Sequence, residues 1–249
     1  MTRLTPEQTS RFIHKNYAHR GLHTPDRSVP ENSLEAFRRA RERGYGFELD
    51  VQFSSDGRVV VFHDDTLERV TGRTGRVDSF PWEELKRMPL CGTEQTIPLF
   101  SDVLKITEGG GPLIVELKNG PRNADLCRAT LDLLKGYKGD VCIESFNPFI
   151  VSWFRKNAPD MVRGQLSAPY SVMKKNVGNA LIAFLLSRCA FSFLNRPDFI
   201  AYQAGKRPRG VLRMRKKGVM LFAWTPHEAP PPKENDGVIF EYYEPGPTF

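Results

Sequence analysis

Short apolar runs recur along the chain, each followed by a longer segment in which polar and apolar residues alternate at helical spacing. The runs are Tyr17 to Arg20, Gly46 to Val51, Leu113 to Lys118, Val141 to Phe146, Met161 to Leu166, Asp198 to Tyr202, Val219 to Thr225 and Gly237 to Glu241. A short apolar strand, a helix and a further strand make the unit that joins parallel strands. Eight such units predict an α/β chain of the TIM (β/α)8 barrel type, and residues 1–249 are read as one barrel domain. Between the first two runs, Asn32 is placed as the helix cap with Glu35 at the third helical position. Leu34, Phe37 and Ala40 or Arg41 share a face there, and Gly44 ends the helix. The second and third runs are separated by a longer stretch, about residues 52–112, predicted to be a small insertion on the catalytic face. It contains the turn signal Asp56-Gly57 ahead of Val59 to Phe62, which predicts a hairpin. Three consecutive prolines between Ala229 and Lys233 predict an extended loop.

Composition narrows the chemistry only partly. The net charge of +7 and pI near 9.3 favour anionic partners such as phosphate esters, anionic lipid surfaces or nucleic acid. The basic residues are scattered, however, and no nucleic-acid recognition motif is visible. Cys91, Cys127, Cys142 and Cys189 lack the spacing of a zinc knuckle or a disulfide framework, so they are read as reduced thiols. Met1 to Ser10 lacks the continuous apolar core of a secretory signal, which makes a cytoplasmic location the expectation.

The informative residues are charged ones at the ends of apolar strands. His19 and Arg20 end the first run, Glu48 and Asp50 lie near the end of the second, and Glu116 and Lys118 end the third. Carboxyl ends of barrel strands form the mouth where active sites gather. Residues two apart on a strand share a face, so Glu48 with Asp50 and Glu116 with Lys118 should project together. Three carboxylates beside one lysine either hold a hard divalent cation, Mg2+ or Ca2+, or pair with Arg20 and Lys118 as a structural ion network. His19 and His63 supply two imidazoles, the side-chain type suited to acid-base work near neutral pH, with Asp64 placed to orient the second ring. Arg20, through its planar fork, and Lys118 suit phosphoryl oxygens, and Gly21 would allow close backbone approach. His14, His23 and His227 are read as structural.

The order and spacing of Ala18-His19-Arg20-Gly21, Pro30-Glu31-Asn32-Ser33, Phe47-Glu48-Leu49-Asp50-Val51 and Phe62-His63-Asp64 resemble the glycerophosphodiester phosphodiesterase family of bacterial type. Glu116-Leu117-Lys118, Ser145-Phe146, Ala223-Trp224-Thr225 and Asp236-Gly237-Val238-Ile239 extend the resemblance over nearly the whole chain. It implies a metal held by Glu48, Asp50 and Glu116, with His19 and His63 as the acid-base pair. It also implies phosphate contacts from Arg20 and Lys118, and attack by the substrate's own neighbouring hydroxyl to give a cyclic phosphate that water opens to glycerol 3-phosphate. Phe146 and Trp224 resemble the family's apolar wall for the glycerol unit, with core packing as the alternative. Two departures bear on the pocket rim: Pro226-His227 follows Trp224-Thr225 where the family commonly has an apolar residue and asparagine, and Phe240-Glu241 replaces the usual Thr-Asp.

The segment Ala180 to Leu194 is dominated by Leu, Ile, Ala and Phe and flanked by Lys174, Lys175 and Arg196. It is too short and interrupted to span a bilayer. It reads as a barrel helix buried against the sheet or, alternatively, as an interfacial element through which residues 174–196 touch an anionic membrane. The competing functions are therefore a lysophospholipase D or phospholipase C-like lipid phosphodiesterase, and a non-catalytic lipid- or phosphate-binding barrel.

Overall fold

The computed structural model describes residues 3–107, 111–226, 228, 230 and 234–249; His227 and the proline loop expected from Ala229 to Lys233, Pro230 apart, lie outside them. The strands are β1 (Lys15–Ala18), β2 (Gly46–Phe53), β3 (Val59–Val61), β4 (Leu113–Leu117), β5 (Val141–Ser145), β6 (Val162–Ser167), β7 (Phe199–Gln203), β8 (Met220–Trp224) and β9 (Gly237–Phe240). All except β3 pair in parallel in the order β1-β2-β4-β5-β6-β7-β8-β9, and β9 returns to β1, closing an eight-stranded barrel. The apolar runs of the sequence coincide with these strands to within two residues at either end.

Alternation along each strand divides the core into two layers. Outward-facing Phe47, Leu49, Val51, Leu113, Val115, Leu117 and Ile143 pack under the helices. Inward-facing Tyr17, Ile114, Cys142, Phe199, Phe222 and Ile239 fill the barrel interior. Phe222 stacks on Phe199 at 4.9 Å and on Tyr17 at 5.7 Å between ring centroids. These rings fit because neighbouring strands present glycine: a Cβ on Gly164 would come within 2.2 Å of the Phe199 ring, and one on Gly237 within 2.9 Å of Phe222. The N-terminal half of the interior is thereby sealed with apolar rings, so the charged residues of the inner rows are confined to the other end.

The helix Leu34–Glu42 packs Ala36, Phe37 and Ala40 inward, and Gly44, at φ +75°, follows its end. Its cap differs from the sequence expectation. Ser33, not Asn32, accepts from the backbone N–H of Ala36, while Asn32 adopts a left-handed φ of 55° and turns its side chain toward β2. Either residue type can cap a helix; tertiary pairing with a buried carboxylate takes the asparagine. The stretch between β2 and β4 begins with the expected hairpin, β3 pairing antiparallel with Val51 to Phe53 around Gly57 at φ +77°. It continues as a small subdomain with its own core of Val60, Phe62, Leu67, Val70, Leu85 and Leu90. Its last part, the helix Phe100–Thr107, belongs to the barrel's outer ring, with Phe100, Val103 and Leu104 in the main core.

The segment after β6 is not one buried barrel helix. It forms Tyr170–Val177, Ala180–Ser187 and Ser192–Asn195, and in the middle helix only Ala183 and Ser187 are buried. Leu181, Ile182, Phe184 and Phe193 are exposed, Phe193 by 76%. The helix is apolar all round, so a single neighbour can cover only one of its sides. Among the described residues, no helix is long and apolar enough to cross a membrane.

Candidate active site

Each sequence-predicted charged residue sits where its strand leaves the apolar interior. Asp50 and Glu116 are direct register partners on β2 and β4, and Glu116 is in turn the partner of Glu144 on β5. Glu48, Asp50 and Glu116 are buried, and one oxygen from each lies within 4.8 Å of the others. Lys118 Nζ donates to Glu116 at 2.8 Å and to Asp50 at 3.3 Å. The Arg20 backbone N–H donates to Glu48 at 3.0 Å, while its guanidinium lies 2.7 Å from Glu31 and 3.4 Å from Asp50. The two alternatives left open by the sequence therefore coexist: the acids form an ion network and also converge as an oxygen-only ligand set.

Charge decides that the network is incomplete. Four buried carboxyl groups, including Glu144, face Arg20 and Lys118, and Arg20 is shared with Glu31. Burial, followed by repulsion from Asp50, Glu116 and Glu144, pushes Glu48 well above the usual carboxyl range, and Glu144 moves the same way. At Asp50 burial is outweighed by Lys118, His63 and Arg20 and by the bond from Asn32, so it stays ionised. Glu48 Oε1 and Glu144 Oε2 are buried without a hydrogen-bond partner. Buried acceptors without partners are rare and call for an explanation such as an ion. An oxygen-only donor set with surplus negative charge fits a hard divalent cation held by Glu48, Asp50 and Glu116.

Both histidines flank this set, and each is oriented by a carboxylate. His63 Nδ1 donates to Asp64 Oδ1 at 2.6 Å; Asp64 is held well below its usual range because the bonds from His63 and Arg69 overcome its burial. His19 Nδ1 lies 3.2 Å from Glu241 Oε1, and its Nε2 lies 3.8 Å from Glu48. Burial, reinforced by Arg20, lowers His19 to about 4, so the ring is neutral near pH 7. With Glu241 kept ionised by its histidine contacts despite burial, the His19 proton resides on Nδ1 and Nε2 is left as an acceptor.

Several residues of the site were not singled out by sequence. Asn32 donates to Asp50 at 2.8 Å. Glu31 bridges Arg20 to Arg69 at 2.7 Å on each side, and Arg69 continues to Asp64, linking the first strand to His63 through one chain of charges. Glu31 and Asn32 were visible in Pro30-Glu31-Asn32-Ser33, whereas Arg69 lies in the inserted segment with no strand-end position to mark it. Gly21 has a packing reason as well as the one expected. At φ +78° it lies against the helix, and a Cβ there would meet Ala36 at 2.8 Å. Phe146 and Trp224 meet edge-to-face at 6.0 Å, with Trp224 Nε1 donating to Ser167 at 2.9 Å, and both are half-buried at the mouth. His14 packs at the surface against Phe249, but His23 is drawn to the mouth, 3.3 Å from Glu241.

Residues 19–236 match the glycerophosphoryl diester phosphodiesterase family. The chain is 31% identical over 220 residues to the glycerophosphodiester phosphodiesterase of Caldanaerobacter subterraneus subsp. tengcongensis, covering 84% of each chain. The fold is shared with a phosphodiesterase from Oleispira antarctica in complex with the product sn-glycerol 3-phosphate, at a TM-score of 0.77 and 23% identity over 94% of this chain and 95% of that one. It is also similar to a glycerophosphodiester phosphodiesterase from Thermotoga maritima, at a TM-score of 0.66 and 26% identity over 90% of this chain and 93% of the other.

The Asn32 bond to Asp50 yields a direct prediction. Asn32→Ala should weaken Mg2+ or Ca2+ binding, measured by isothermal titration calorimetry, by about 10-fold or more, the usual effect of losing an outer partner of a metal ligand. Unchanged affinity would show that Lys118 and Arg20 alone fix the carboxylate.

Proposed function

The chain belongs to the glycerophosphoryl diester phosphodiesterase family, and we propose that it hydrolyses glycerophosphodiesters to glycerol 3-phosphate and an alcohol by metal-dependent His19/His63 acid-base catalysis. The observation that carries this reading is the convergence of Glu48, Asp50 and Glu116 beside two carboxylate-oriented imidazoles at the open end of the barrel. A divalent cation bound there supplies charge neutralisation at the nonbridging phosphate oxygens. Lys118 and Arg20, already at the edge of the carboxylate set, are the proposed contacts for the remaining phosphoryl charge. Both imidazoles have Nδ1 committed to a carboxylate, so each presents Nε2 to the reacting groups. One ring takes the proton of the attacking hydroxyl and the other protonates the departing alkoxide. When water opens the cyclic phosphate, the two exchange roles. Phe146 and Trp224 are the proposed wall for the glycerol carbons.

Replacing His19 or His63 by alanine should lower kcat by about two to four orders of magnitude, the usual contribution of positioned proton transfer. A loss under about fivefold in a variant that still binds metal would remove that residue from the mechanism. EDTA should abolish glycerol 3-phosphate release, with recovery on adding Mg2+ or Ca2+; full activity in the chelated enzyme contradicts the metal assignment.

A lipid phosphodiesterase reading is favoured by one further observation. The helices Tyr170–Val177 and Ala180–Ser187 pack through Met173 and Ala183 against Phe146 and Trp224, which puts them at the pocket wall. They carry outward Leu181, Ile182 and Phe184 beside exposed Lys174, Lys175 and Arg188, with the Arg188 guanidinium 4.4 Å over the Phe184 ring. Apolar side chains ringed by cations suit the headgroup boundary of an anionic bilayer. Co-sedimentation with phosphatidylglycerol-containing liposomes should fall several-fold in Phe184→Asp; equal partitioning of the two proteins rejects membrane contact through residues 174–196.

A further inference from the structure

The mouth holds a second constellation that the acid-base assignment does not consume. His19 Nδ1 and His23 Nε2 converge on one oxygen of Glu241, at 3.2 and 3.3 Å, and the three donor atoms lie within 4.8 Å of one another. His23 Nε2 is buried yet makes no hydrogen bond of acceptable geometry. Leaving a buried polar atom unpaired is costly, which makes this nitrogen available to a ligand. The His23 ring is braced edge-on by Tyr242 at 5.5 Å, and a cavity lined by His19, Gly21, His23, Glu241 and Tyr242 opens onto the cluster.

Two imidazole nitrogens and a carboxylate oxygen are a zinc ligand set, unlike the oxygen-only group of Glu48, Asp50 and Glu116. Zinc–nitrogen and zinc–oxygen bonds of about 2.0–2.2 Å at tetrahedral angles hold neighbouring donors about 3.3 Å apart. Two of the three donor pairs already have that spacing, and an open fourth position would be filled by water or an anion.

We infer that His19, His23 and Glu241 form a second metal site, selective for zinc over Mg2+ and Ca2+, whose occupation silences the enzyme. The binding claim stands on geometry alone. The silencing rests on the acid-base role of His19 proposed above. Zinc bound through Nδ1 displaces the hydrogen bond to Glu241 and occupies that nitrogen's lone pair, so the coordinated imidazole carries its N–H on Nε2. That atom can then donate but not accept, and a group that must do both during turnover is frozen.

Zinc chloride titrated calorimetrically into the Mg2+-saturated protein should show one zinc per chain that millimolar Mg2+ does not displace. His23→Ala and His23→Gln should each weaken it at least 10-fold, whereas Glu116→Gln should leave it intact. Zinc at the concentration that fills the site should inhibit the Mg2+-loaded wild type, while His23→Ala, compared with its own zinc-free rate, should resist. Superimposable zinc titrations of wild type and both His23 variants, or displacement by Mg2+, would overturn the site. Zinc bound as expected with turnover unchanged would overturn the silencing and leave the site standing.

Discussion

The mouth of this barrel is organised around a surplus of buried negative charge. Glu48, Asp50, Glu116 and Glu144 occupy adjacent inward positions on three neighbouring strands, above an interior sealed by Tyr17, Phe199 and Phe222. Two carboxylates about 5 Å apart repel by roughly 3 kcal/mol at an effective dielectric near 20. Lys118 and Arg20 offset part of this, and Glu48 and Glu144 absorb the rest by being driven toward the neutral form. A folded protein keeps such an arrangement where the charge is used, and a doubly positive ion uses it most directly.

The remaining parts of the site follow from holding that set in place. Asn32 gives up the helix cap to Ser33 and pairs with Asp50, and Glu31 ties Arg20 to the Arg69–Asp64–His63 chain. Arg20, Asn32, Thr225 and Tyr242 all have positive φ although none is glycine, and all lie in loops at or near the carboxyl ends of strands. The inserted β3 segment brings His63 to the acids from outside the barrel, so one imidazole comes from the closed sheet and the other from its attached subdomain.

Much of this was legible in the sequence because strand alternation and barrel polarity are strong constraints. A charged residue two positions from another on an apolar strand has one face to occupy and one end of the barrel to reach, which located Glu48, Asp50, Glu116 and Lys118 without coordinates. Roles set by tertiary competition were not legible. Ser33 and Asn32 are both good caps, and only the position of Asp50 assigns one to the helix and the other to the carboxylate. His23 offered no periodic or positional signal, since its approach to Glu241 depends on how the loop after β1 meets the end of β9. The exposure of Leu181, Ile182 and Phe184 was hidden because an apolar helix reads the same whether a sheet or solvent faces it.

The claim on which the site depends is that Glu48, Asp50 and Glu116 share one cation. Crystals grown with Mn2+ and measured at an anomalous wavelength test it most directly. An anomalous peak is expected between the three side chains, at about 2.2 Å from an oxygen of each. A fully occupied manganese elsewhere in the barrel mouth, with these carboxylates still paired only to Arg20 and Lys118, would contradict it.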